Sequence, residues 1–230
     1  MLSRKTAIDR IRCALTLQKD GTSRPDPPRW LEWAREIQAL SQTGCHYAEN
    51  EYQRLRNQRL SEIAAEIISE HTRLAFTPLA QIFQAQIGYA TPRVDVRGAV
   101  FQDSQLLLVR ERQDGGWTMP GGWADVGDVP SEAAEREVWE EAGFRVKARK
   151  LVGVYDANRL GPLELFHAFK LVFLCDLIEG VARTSSETSE VAFFSQNELP
   201  GILSGARTRP RHILDAFQAL KDPDCAAVFD

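Results

Sequence analysis

Two stripes of apolar residues at helical spacing open the readable part of the chain. Trp30, Trp33, Ile37 and Leu40 recur three or four residues apart, and Gly44 follows as a stop signal. Tyr52, Leu55, Ile63 and Ile67 share a second stripe that predicts a helix ending near Thr72. From Arg93 the pattern changes to short β-branched and aliphatic runs, which predict strands over residues 93–101, 105–111, 151–156, 165–177 and 190–194. Turn-prone Gln-Asp-Ser, Asp-Gly-Gly and Arg-Leu-Gly-Pro stretches bound them. Between the strands, Pro130 and Gly143 bracket a helix over residues 130–142, with proline at its start and glycine just past its end. Ile213, Leu214, Phe217 and Leu220 predict a closing helix over residues 210–220.

Mixed strands flanked by helices predict an α/β or α+β sandwich preceded by a small helical domain. The expected division is a poorly ordered leader over residues 1–28, which ends on Pro25, Pro27 and Pro28, a helical domain over 29–90, and an α/β domain over 91–222. Two helices cannot bury both faces in so small a module. Their stripe is expected to meet the rest of the chain or a second copy of it.

Composition narrows the choices. The 230 residues are 43% hydrophobic and 26% charged, which is globular. The longest apolar stretch, residues 165–177, is interrupted by His167, Lys170 and Asp176, so no membrane span is predicted. The cysteines at 13, 45, 175 and 225 are too scattered for a zinc site or a disulfide framework, and a reducing, cytoplasmic location is expected. The formal net charge of −4 is unevenly spread. Residues 121–144 carry Asp125, Asp128, Glu132, Glu135, Glu137, Glu140 and Glu141 against Arg136 alone, a balance of −6, and the remainder of the chain is slightly basic. No broad basic field is present, which argues against duplex DNA as a partner.

On the predicted 130–142 helix, Glu137, Glu140 and Glu141 stand at i, i+3 and i+4 and share one face. Val138, Trp139 and Ala142 lie on the other side as a packing surface. Arg136 is within reach of Glu132 and Glu140, yet one guanidinium cannot neutralise three glutamates. Such oxygen ligands suit a hard divalent ion, and Mg²⁺ typically combines one or two carboxylates with substrate phosphates. A solvated charged face is the competing reading.

The run from Gly121-Gly122 through Asp128, Arg136-Glu137-Val138, Glu140-Glu141 and Gly143-Phe144 resembles the Nudix box: Gly, five residues, Glu, seven residues, then Arg-Glu-apolar-x-Glu-Glu-x-Gly-apolar. Counted from Gly122, Asp128 is the sole departure, standing where the motif has Glu. Upstream, Trp33-Ala-Arg-Glu-Ile-Gln-Ala-Leu40 with Gln42-Thr-Gly44 and Tyr47, and downstream Glu187-Thr-Ser-Glu190, resemble the subgroup that hydrolyses X-linked nucleoside diphosphates; the resemblance spans about residues 30–220. It implies a Nudix α/β/α sandwich and a Mg²⁺- or Mn²⁺-dependent pyrophosphatase. It further implies that Glu137, Glu140 and Glu141 are metal ligands with the Gly121 carbonyl, that Arg136 orients them, and that the protein is a homodimer. The implied substrate is a nucleoside diphosphate derivative of ADP-ribose or CDP-alcohol type. Nucleoside triphosphates or RNA ends are the alternative, and a non-catalytic nucleotide sensor ranks last because the glutamate triad is intact.

Glu187 is the candidate general base, with Glu190 as the other choice. Arg110 and Arg112, expected on one face of a strand, are candidate phosphate contacts. Trp117, Tyr155 and His167 could meet the nucleoside, although aromatics in strands more often belong to the core. Asp125, Asp128 and Glu132 read as capping or solvated residues.

Overall fold

The computed structural model describes residues 28–158, 165–205 and 207–230. The expected leader lies outside the described residues apart from Pro28, as does the turn predicted over residues 159–162. The chain divides into two units, one formed by Met1–Pro92 with Asn158–His167, the other by Arg93–Ala157 with Ala168–Asp230. Among the described residues no helix is long and apolar enough to cross a membrane.

The first unit contains α1 (Arg29–His46), α2 (Glu51–His71) and α3 (Phe76–Gln84). Asn50 starts α2 by accepting from the Gln53 amide at 2.9 Å, satisfying one of the helix's open donors. Its core joins Leu31, Ala34, Ala64, Ala65, Ile68, Leu79 and Phe83 with Leu165. The predicted stripes are met in part: Trp30, Ile37 and Ile67 pack against this core, and the fully buried positions are others. On α1 the inward face is Leu31, Ala34, Gln38 and Ser41, while Trp33 and Leu40 are exposed; on α2 it is Ala64, Ala65 and Ile68, while Tyr52 and Leu55 are exposed. Small residues occupy the most buried positions between the two helices, and bulk alone does not mark them. Gly44 does not stop α1 either. It lies inside the helix, where a Cβ would come within 2.3 Å of the Asn57 amide. The short α3, with Pro78 in its first turn, went unpredicted.

The second unit is a mixed eight-stranded sheet with the order β3-β2-β1-β6-β5-β8. Its strands are β1 (Arg93–Gln102), β2 (Gln105–Glu111), β3 (Trp117–Thr118), β4 (Gly121–Trp123), β5 (Phe144–Asp156), β6 (Ala168–Gly180), β7 (Thr188–Phe194) and β8 (Val228–Phe229). β4 pairs with β1 and β7 with β2. The β1/β6 and β5/β8 pairs are parallel; all others are antiparallel.

Helices α4 (Pro130–Ala142) and α5 (Pro210–Lys221) complete the sandwich. β2 shows how the layers form. Leu106 and Leu108 enter the cluster containing Ile213, Ala216 and Phe217 of α5, and Leu107 and Val109 enter the one containing Val138 and Ala142 of α4. A strand buried on both faces is continuously apolar, and its period-two alternation distributes side chains between two helical layers. The mixed α/β sandwich agrees with the sequence reading. Several boundaries moved: the strand predicted at 151–156 begins at Phe144, that at 165–177 begins at Ala168, and that at 190–194 begins at Thr188. The two- and three-residue strands β3, β4 and β8 carry too few positions to show a period.

Candidate active site

Helix α4 brings acidic side chains against the glycine-rich β4. Gly143 ends the helix at φ 81°, a left-handed conformation that glycine adopts without strain, and its amide returns to the Trp139 carbonyl. Ala133, Ala134, Val138 and Ala142 face the sheet. Glu137 and Glu141 are also buried, at 4% and 6% exposure, whereas Glu140 is exposed. The shared acidic face of the sequence reading thus splits into a buried pair and one surface carboxylate.

Backbone geometry at Gly121 and Gly122 makes room for that pair. Gly121 has φ 149°, and a Cβ there would lie 2.0 Å from the Val96 carbonyl, so only glycine fits. Its amide donates to Glu141 Oε2 at 3.0 Å. A Cβ on Gly122 would approach Glu137 Oε2 to 2.8 Å, so the bare backbone admits the carboxylate. Burial pushes the Glu141 carboxyl up to about 8; Arg97 and the Gly121 amide oppose the shift, and Glu111 and Glu137 reinforce it. Glu111, at the end of β2, is raised as well, first by burial, although Arg207 Nε lies 3.0 Å from its Oε1.

Two further buried carboxylates, Glu111 and Glu137, thus act on that of Glu141. The donor set is hard oxygen, and Gly121 and Gly122 bring no side chain against it. These residues fit a divalent cation of the Mg²⁺ or Mn²⁺ kind. Among the described residues no group of three His, Cys, Asp or Glu side chains is gathered in ligating geometry, so completing a triad requires Glu140 to turn inward from the surface.

Arg136 does not pair with Glu132 or Glu140 as the sequence suggested. Its Nη2 donates to Asp128 Oδ2 at 2.9 Å and lies 3.6 Å from Glu137 Oε1. Asp128 also accepts from the Asp125 amide at 3.0 Å, which closes the turn before α4. It is neither a helix cap nor merely solvated: despite its shorter side chain it reaches the arginine beside Glu137. Trp139 is not core. It is exposed, with the guanidinium carbons of Arg145 and Arg183 at 4.7 and 4.9 Å from its ring.

Glu187 sits exposed on the loop before β7, where its carbonyl accepts from the Arg112 amide at 2.9 Å. Glu190 is engaged elsewhere, 2.6 Å from Arg110 Nη1. Arg110 also donates through Nε to the Gly115 carbonyl, and Arg112 lies beyond the end of β2, so the two arginines do not share a strand face. Trp117 packs edge-on against Phe194 in the core. Tyr155 is buried at 1% and donates to Asp215, and His167 belongs to the helical unit.

Beneath the glycines lies a buried charge cluster that the sequence reading missed. Arg97 donates to Asp95 through Nε and Nη2, both at 2.8 Å, and to the Met119 carbonyl at 3.2 Å. Lys170 donates to the same aspartate at 2.7 Å. Burial opposes the charge of Arg97, yet Asp95, Glu141 and Glu111 hold it protonated. The available signal was the spacing of Asp95 and Arg97, opposite charges two residues apart on one face of an otherwise apolar strand.

Comparison with known proteins matches residues 28–83 to a UDP-X-like N-terminal oligomerisation domain and residues 91–217 to the NUDIX domain. The Bacillus subtilis protein YjhB, provisionally named an ADP-ribose pyrophosphatase, is 34% identical over 203 residues, which is 88% of this chain and 97% of that protein. A crystal structure of an ADP-ribose pyrophosphatase from Streptococcus suis is 34% identical with a TM-score of 0.56, covering 61% of this chain and all of that one. A crystal structure of a UDP-X diphosphatase is 28% identical with a TM-score of 0.57, covering 88% of this chain and 98% of that one.

Proposed function

The chain belongs to the Nudix family and is a pyrophosphatase of that family, and from this we propose that it hydrolyses the diphosphate of a nucleoside diphosphate linked to a second moiety. The products are a nucleoside monophosphate and the phosphate of that moiety. An ADP-ribose-type substrate has the strongest support, because the YjhB relative and the Streptococcus suis structure both carry that activity in their names; CDP-alcohols and UDP-linked compounds belong to the same chemical class. The observation that carries the reading is the buried Glu137 and Glu141 pair laid against Gly121 and Gly122.

Glu137 and Glu141, with Glu140 and the Gly121 carbonyl, would hold Mg²⁺ or Mn²⁺. When bound, such an ion neutralises charge on the diphosphate oxygens and lowers the pKa of a coordinated water. Arg136, fixed by Asp128, orients Glu137. Glu187 stands as the general base that takes the proton of the attacking water. Arg112 is a phosphate contact; Arg110 can serve as one only by leaving Glu190.

We also infer a homodimer formed through the helical unit. Trp33, Leu40, Tyr52 and Leu55 are each more than half exposed on α1 and α2, and the matching domain is described as one for oligomerisation. Light scattering should give about twice the chain mass of 25.9 kDa.

The test of function is a hydrolysis panel of ADP-ribose, CDP-choline, UDP-sugars, dinucleotides and triphosphates after chelation, with Mg²⁺ or Mn²⁺ added back. Metal-dependent cleavage of the diphosphate-linked compounds is expected. Selective release of pyrophosphate from triphosphates would instead favour the nucleoside triphosphate alternative.

A further inference from the structure

The loop before β7 is tied to the end of α4 by one hydroxyl. Thr188 is fully buried at the first position of β7, opposite Glu111 of β2. Its Oγ1 donates to the main-chain carbonyl of Glu141 at 2.9 Å, in the last turn of the helix, where carbonyls lack intrahelical partners. A carbonyl only accepts, so the single Thr188 hydroxyl proton is committed there. The same oxygen then accepts from the Ser185 amide at 2.9 Å and, by elimination, from the Ser185 hydroxyl at 3.1 Å. Ser185 Oγ in turn accepts from the amides of Glu187 and Thr188, at 3.1 and 3.2 Å.

Glu141 is consequently held at both ends, its carboxylate by the Gly121 amide and its carbonyl by Thr188. Glu187 is the residue next to that clamp, with its own amide bound by Ser185. A second fastening, from the Arg183 amide to the Ala142 carbonyl at 2.9 Å, closes the far end of the loop on the same helix terminus.

We propose that Thr188 is a positioning residue for hydrolysis, its hydroxyl fixing the loop that carries Glu187 relative to Glu141. The proposal rests on the reading that Glu141 and Glu187 serve the reaction. Misplacement of such a supporting group typically costs about 10–100-fold.

Two substitutions at one position separate hydroxyl from shape. Thr188→Val keeps the volume and loses the hydroxyl; Thr188→Ser keeps the hydroxyl and loses the methyl. With metal and ADP-ribose, Thr188→Val should lower kcat about 10–100-fold with KM nearly unchanged, and Thr188→Ser should stay near wild type. In the metal-free protein, hydrogen exchange across residues 183–188 should quicken in Thr188→Val and not in Thr188→Ser. Wild-type kcat in Thr188→Val, or equal losses in both variants, would overturn the proposal. If Thr188→Val does not fold, Ser185→Ala decides: a fall in kcat with native thermal stability supports it, and wild-type kcat overturns it. Absence of diphosphate hydrolysis in the wild type would instead defeat the functional reading, while the exchange contrast would still report on the clamp.

Discussion

Glu141 and Gly121 are joined by a hydrogen bond of 3.0 Å from the glycine amide to the carboxylate, and this contact aligns the acidic helix with the strand beside it. It exists because Gly121 holds a backbone conformation closed to other residues, with the Val96 carbonyl where a Cβ would stand. Gly121→Ala should therefore rotate the amide away. We expect about 1–3 kcal/mol of lost stability from the strain and a fall in turnover. Urea unfolding together with kcat measurements will check both. Normal turnover in Gly121→Ala would show that the amide contact is dispensable.

The substitution of Asp for Glu in the acidic motif is expected to be mild. Asp128 already reaches Arg136 at 2.9 Å, and the longer side chain of Asp128→Glu can make the same pair with a rotamer change. Asp128→Ala should lower kcat by about 10-fold, because Arg136 loses its anchor beside Glu137. Steady-state kinetics of the two variants should diverge; equal activities would remove Asp128 from any supporting role.

Asp95 receives Arg97 and Lys170 in a place where all three side chains are at most 2% exposed. Removing its charge takes away the carboxylate to which both buried cations donate. Asp95→Asn should destabilise the protein by about 3–5 kcal/mol, as for other broken buried pairs. The denaturation midpoint measures this directly, and a shift corresponding to under 1 kcal/mol would mean that water or rearrangement compensates.

His212 gives stability an acid limb. Its Nδ1 accepts from the Arg209 amide at 3.2 Å, its ring lies 4.5 Å from that of Tyr155, and it faces Lys170, Arg209 and Arg97 as well as Asp95. Burial first, then Lys170 and Arg209, push its pKa down to about 3 from the usual 6.5. The unfolded chain takes up a proton below 6.5 that the folded protein refuses until about 3. Stability should thus be flat in this respect above pH 6.5 and fall between 6.5 and 3. Urea midpoints measured across that range should decline less steeply in His212→Gln than in wild type. Parallel declines would contradict the assignment.

The sandwich was legible because its signals are long or redundant. The 130–142 helix has proline and glycine at its ends, and β2 is a run of leucines between turns. The helical unit was read less well, since the surfaces that touch are built from Ala34, Ser41, Ala64 and Ala65, while Trp33 and Tyr52 remain outside. Hydrophobic periodicity weights bulk, and close helix packing selects smallness. At the site, helical spacing located the three glutamates but not which of them are buried, because that depends on how far α4 lies over β4. Lys170 and Thr188 come from β6 and β7, apart from the β1 strand that carries Asp95 and Arg97, so no local pattern joins them to that pair. Tyr155 fell to the core reading, held by Asp215 rather than offered to a ligand.

The account turns on Glu137 and Glu141 acting with a divalent ion on a diphosphate. The direct measurement is product identification by mass after incubation of ADP-ribose with chelated protein, with and without added Mg²⁺, for wild type and Glu141→Gln side by side. The account predicts AMP and ribose 5-phosphate only for the wild type with metal, and a native circular dichroism spectrum for the variant. Undiminished product from Glu141→Gln, or from the chelated wild type, would contradict it.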